Sequence, residues 1–155
     1  NREELPEFLE EYDLKSGIEI GVQKGVFSKQ MLDGWKSCEK YHLVDLWAHQ
    51  NNYMDQANVE TAAQDTYYQE ARDNLKSHTE KTEFHRMLST EAAKKFDKES
   101  IDFVYVDARH DYCGVTEDLE SYWDEDELRK MQLDEFTIKR QYMKVTCTRT
   151  VDKQD

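Results

Sequence analysis

Two short segments concentrate the side chains able to do chemistry. Val106-Asp107-Ala108-Arg109-His110-Asp111-Tyr112 follows an apolar run and brings together an imidazole, two carboxylates flanking it, a guanidinium and a phenol. Such a group can remove a proton from a hydroxyl, supply metal ligands, or orient a cofactor through a polar network. Asp107 and His110 offer one oxygen and one nitrogen ligand, too few for a metal site by themselves. The second segment, Gly17-Ile18-Glu19-Ile20-Gly21-Val22-Gln23-Lys24-Gly25, is a strand-like run that ends in a glycine turn before the helix-like stretch Val26 to Trp35. Strand, glycine turn and helix in that order place backbone N–H groups at a helix N-terminus, where a nucleotide can approach. An adenosine-containing cofactor is expected.

The glycine spacing narrows the choice. A dinucleotide fingerprint is G-x-G-x-x-G with the middle glycine cleared for a pyrophosphate; here Gln23 stands between Gly21 and Gly25, and the motif is E-x-G-x-x-x-G. Asp45 lies 26 residues beyond Glu19 at the end of the next apolar run. There an ionised carboxylate offers acceptors to the vicinal hydroxyls of a ribose. Leu46 and Trp47 either flank an adenine or, for the tryptophan, join the core. Met87, Leu88 and Ser89 follow a third strand-like run. His42, His49, His78 and His85 lack comparable neighbours in sequence and read as structural or exposed.

These residues need a scaffold that brings strand ends together. Leu5, Phe8, Leu9 and Tyr12 recur at helical spacing and predict an amphipathic helix on a sheet. Strands are predicted at Ile18 to Val22, Tyr41 to Trp47, Thr82 to Leu88 and Ile101 to Val106. Helices are predicted from Phe27, Met31 and Trp35; from Tyr68, Ala71 and Leu75; from Ala92, Ala93 and Phe96 with Ser89 as cap; and from Val115, Leu119, Tyr122 and Trp123. The polar stretch Ala48 to Glu60 suits a lid. Alternating strands and helices predict an α/β fold, a Rossmann-like doubly wound and mostly parallel sheet with helices on both faces. Ligands then bind outside the carboxyl ends of the strands.

The 155 residues suit a single domain, residues 1–155, with no internal repeat. A formal net charge of -13 and the lack of a basic stripe argue against a nucleic-acid partner and favour small molecules. No apolar stretch reaches membrane-span length, and the first residues lack the apolar core of a signal peptide. Cys38, Cys113 and Cys147 are widely spaced and odd in number, which suggests neither a disulfide framework nor a zinc site and makes a reducing, cytoplasmic setting the expectation.

The segments Ile18 to Ser28, Leu43 to Trp47 and Ile101 to Tyr112, followed by Val115, Asp118, Leu119 and Trp123, resemble class I S-adenosylmethionine (SAM)-dependent methyltransferases of the small-molecule O-methyltransferase type, the methyltransferase 24 group. The resemblance spans roughly residues 15 to 123. It implies that Glu19 and the loop Gly21 to Gly25, Gln23 included, contact the methionine part of SAM, Asp45 the ribose, and Met87 to Ser89 the adenine side. Asp107 and His110 would lie near the transferred methyl as catalytic residues. In metal-dependent relatives the acid after the fourth strand ligates a divalent cation such as Mg2+, which marks Asp107, but the later His-Asp or Asp-Asn pair is missing here.

The expected activity is methyl transfer to a hydroxyl or amine of a small-molecule acceptor, in a chain compatible with a homo-oligomer. The rivals are a non-catalytic methyltransferase-like binding module and an NAD-dependent dehydrogenase, the latter weakened by the missing third glycine. One departure stands out: Trp123 runs straight into Asp124-Glu125-Asp126-Glu127, with no turn and no fifth apolar strand before the strand-like Met143 to Thr150. A segment carrying that strand is expected to be absent between Trp123 and Asp124, because an unpaired fourth strand would leave a long open edge.

Overall fold

The computed structural model describes residues 2–97 and 100–123. Its four strands, β1 (Ser16–Ile20), β2 (Lys40–Asp45), β3 (Thr82–Arg86) and β4 (Phe103–Val106), are all parallel and lie in the order β3-β2-β1-β4. The helices are α1 (Leu5–Glu11), α2 (Val26–Gly34), α3 (Thr61–Asn74), α4 (Ser89–Ala93) and α5 (Tyr112–Tyr122). The chain winds outward from β1 to β3 and then returns to place β4 against the other side of β1. That reversal opens a crevice at the strand ends.

Side-chain alternation along the strands feeds two cores. Tyr41 and Leu43 pack with Leu9, Phe27, Met31, Trp35, Trp47, Ala71 and Leu75 under α1, α2 and α3, whereas Ile18, Ile20 and Val44 pack with Ala92, Phe96, Val104 and Tyr122 under α4 and α5. Glu19, between Ile18 and Ile20, therefore points into the first core. The Rossmann-like reading, with helices on both faces, is what the structure shows.

The strands begin or stop earlier than the apolar runs suggest, for local reasons. β1 starts at Ser16 because the Asp102 carboxylate accepts the Lys15 and Ser16 N–H groups, both at 2.8 Å. β2 stops at Asp45, whose side chain accepts the Trp47 N–H at 2.9 Å while Trp47 turns left-handed at φ 44°. Ser89 is not the cap of α4 but its first residue, with Leu88 at the cap position.

Two predicted helix faces are rotated. On α1 Leu9 is fully buried, yet Phe8 and Tyr12 are exposed and lean on each other at 4.6 Å. On α5 the buried positions are Gly114 and Asp118, while Val115 is exposed. A Cβ on Gly114 would lie 2.4 Å from Arg109 Cβ, so this face is shaped by the loop that precedes it. Cys38 is a free, buried thiol whose pKa burial pushes up to about 11. Among the described residues no helix is long and apolar enough to cross a membrane. The predicted strand Met143 to Thr150 and the segment expected to be absent after Trp123 lie outside the described residues.

Candidate active site

The crevice at the β1/β4 switch point is a cleft of about 720 Å³, within the usual range for a small-molecule site. It gathers residues from all four strand ends: Glu19 to Lys24, Asp45 and Leu46, Met87 to Ser89, and Asp107 to His110. These are the positions the sequence singles out, with two exceptions. Trp47 is fully buried in the core, packed on Tyr68 and Phe84, and its indole N–H donates to the Gln23 carbonyl at 2.7 Å. It braces the loop from behind and does not line the cleft. Gly25 caps α2 in a left-handed conformation, φ 69°, and an added Cβ there would meet Ala71 Cα at 3.1 Å, so its smallness serves helix packing.

Gly21 has a different role from the one its motif suggests. At φ 91° its missing Cβ would fall 2.2 Å from the Asp107 carbonyl oxygen. The close approach that requires glycine is thus between β1 and the β4 loop, and a valine at this position would disturb the fold itself. The same glycine lines the cleft, so its two functions cannot be separated by one substitution.

Asp45 organises the turn. Its Oδ2 accepts the Val22 and Gln23 N–H groups at 2.9 and 2.8 Å, and its Oδ1 accepts that of Trp47. A carboxylate has about four lone-pair sites, so one acceptor position remains toward the cleft. Gly21 N–H donates to Val44 and Gly25 N–H to Val22. The Gly21, Val22, Gln23 and Gly25 N–H groups are thus already bound, two of them to the Asp45 carboxylate.

Glu19 is almost wholly buried yet reaches the cleft. Tyr41 donates its hydroxyl to Oε2 at 2.9 Å. Burial pushes the carboxyl up to about 7, opposed by the Ser28 and Tyr41 hydroxyls. The Ser28 Oγ lies near enough to favour the charged form but makes no well-formed hydrogen bond. Across the cleft Ser89 donates its hydroxyl to buried Asp118, tying α4 to α5.

The Asp107 and His110 cluster closes the other end. His110 Nε2 lies 3.3 Å from Asp107 Oδ1, and Nδ1 lies 3.4 Å from Asp55 Oδ2. Asp107 and then Asp55 hold the imidazole above its ordinary pKa. His110 N–H donates to the Tyr53 hydroxyl at 3.2 Å, and the Arg109 guanidinium sits 5.0 Å above the Tyr53 ring. The imidazole directs a different nitrogen at each acid, so these groups do not converge on one point as a metal ligand set would. Sequence reading missed Asp55 and Tyr53, whose only signal was the polar stretch that suits a lid. It also missed Arg2, whose guanidinium stacks 3.9 Å over Phe27 and pairs with Asp107 at 3.4 Å.

A parallel sheet with a cleft at its switch point, lined by acids from successive strand ends, defines a Rossmann-like α/β protein. A family model described as a methyltransferase domain, methyltransferase 24, matches residues 18–127, and the chain belongs to that family. The match contains every strand end that builds the cleft. It implies methyl transfer as the class of chemistry. No curated protein matches the chain.

Proposed function

We propose that the cleft binds S-adenosylmethionine and that the chain transfers its methyl group to a hydroxyl, or an amine, of a small-molecule acceptor held beside His110. The observation that carries this reading is the use of the glycine-loop N–H groups by Asp45. A dinucleotide pyrophosphate would meet a carboxylate where it needs donors, whereas a cationic sulfonium amino acid and a ribose diol are matched by Glu19, Asp45 and Asp107. Asp45 would take the ribose with its remaining acceptor position, Leu46, Leu88 and Ser89 the adenine side, and Glu19 the methionine ammonium.

The bound cofactor supplies an electrophilic methyl on sulfur. The protein's part is to align the acceptor and to take its proton. To receive that proton, His110 turns Nε2 from Asp107 toward the acceptor, while Asp55 on Nδ1 stabilises the imidazolium that forms. Asp107 holds the ring from the cleft side and Asp55 from the loop side.

Calorimetric titration of the chain with SAM and, separately, with NAD tests the reading. SAM should bind and NAD should not; heat from NAD alone would overturn it. Once an acceptor is found, His110→Ala and Asp107→Asn should each lower turnover by on the order of a hundredfold, and SAM binding without any turnover would leave a binding module.

A further inference from the structure

His42, on β2, is the register partner of Glu83 on the edge strand β3, and His85 follows two residues later on the same face. Without comparable neighbours in sequence, the two are brought together by tertiary pairing, which places His42 Nδ1 3.0 Å from His85 Nε2. Glu83 Oε1 lies 3.7 Å from His85 Nε2, and Glu83 Oε2 lies 3.9 Å from His42 Nδ1. Among the described residues this is the set of His, Cys and carboxylate groups whose ligand atoms all lie within 4.8 Å of one another. None of the three lines the cofactor cleft.

We propose that His42, Glu83 and His85 form a binding site for a transition-metal dication of the Zn2+ type, separate from the cleft. Zn2+ takes imidazole nitrogen and carboxylate oxygen at about 2.0–2.1 Å in a tetrahedron, which sets neighbouring ligand atoms roughly 3.3 Å apart. The two nitrogens lie 3.0 Å apart and Glu83 Oε1 lies 3.7 Å from His85 Nε2, and one ligand atom from each of the three residues fits within 4.8 Å of the others. Closing the set requires the Glu83 carboxylate to turn Oε1 toward both nitrogens. The imidazoles are mostly shielded and packed against Phe96, at ring distances of 4.8 and 5.6 Å, which restricts their orientation. Glu83 is half exposed, so the fourth position faces solvent, as an entering ion requires.

Two features of the surroundings constrain the chemistry. Lys40 pairs with Glu83 Oε2 at 2.7 Å, leaving Oε1 for the ion. The two facing imidazole nitrogens share one proton between them in the hydrogen-bonded state. Binding moves that proton to the outer nitrogen of the same ring through solvent, so the tautomer changes and no net proton is released.

The chain, stripped with a chelator and dialysed, is titrated with Zn2+ against a chromophoric competitor, and with Co2+ to read ligand-field absorption. One equivalent should bind, and His42→Gln, His85→Gln and Glu83→Gln should each weaken it by more than the roughly tenfold typical of losing an outer-shell partner. Asp107→Asn should leave it unchanged, which separates this site from the cleft. Should a histidine variant fail to fold, the side-chain nitrogen resonances of His42 and His85 in the unaltered chain must shift on adding one equivalent of Zn2+. Absence of binding, unchanged affinity in all three folded variants, unmoved histidine resonances, or loss confined to Asp107→Asn would overturn the proposal.

Discussion

Glu19 shows how one residue can be visible in sequence and still be only half described by it. Its place in the motif marks it as a ligand contact, and it does reach the cleft, but it is also a buried carboxyl whose pKa burial raises from 4.5 to about 7. The sign of the linkage follows from that shift. Below about pH 4.5 the carboxyl is protonated in both states; as pH rises toward 7 the unfolded chain releases the proton and the folded one retains it, so stability falls. The loss through this group is on the order of 3 kcal/mol. Glu19→Gln keeps an acceptor for Tyr41 and removes the titration. Denaturant midpoints measured from pH 4 to 8 should therefore decline less steeply in the variant, and parallel profiles would contradict the buried, raised carboxyl. Asp45 is the opposite case, an acid whose place at a strand end is legible but whose three backbone partners are not.

At the scale of elements, the order of strands and helices is legible because each apolar run is long enough to need burial. Their ends are not, since β1, β2 and α5 are set by Asp102, Asp45 and Asp111, side chains distant in sequence or outside the periodic pattern. The segment Ala48 to Glu60 is the clearest example. It lacks helix and strand, and Asn58 holds it: the side chain accepts the Gln50 N–H at 2.9 Å and donates to the Gln50 and Tyr53 carbonyls at 2.8 and 2.6 Å. This folded loop carries Tyr53 and Asp55 to His110. Asn58→Ala removes three hydrogen bonds worth about 1 kcal/mol each. Amide exchange across residues 48–60 should quicken by at least about fivefold while the four strands keep their protection. Uniform protection in both would mean that the loop is held by something else.

For the whole molecule, a net charge of -13 on 155 residues makes self-repulsion a global term. Raising ionic strength from about 0.01 to 0.15 M shortens the screening length from roughly 30 to 8 Å, so the thermal midpoint of the free chain should rise. A midpoint that falls would mean that favourable ion pairs, such as Lys40 with Glu83, outweigh the repulsion. The sequence by itself determined the fold class, the succession of strands and helices along the chain and the gathering of Glu19, Asp45, Leu88 and Asp107 at one end of a sheet. It could do so because period-two and helical burial patterns are local, and because parallel strands put their carboxyl ends on one side. Only the tertiary structure decided that Trp47 is core, that Gly21 clears the Asp107 carbonyl, that Asp55 reaches His110, and that His42 meets His85. Each of those facts is a contact between residues far apart in the chain, fixed by strand register and loop path, and such contacts leave no periodic trace along the sequence.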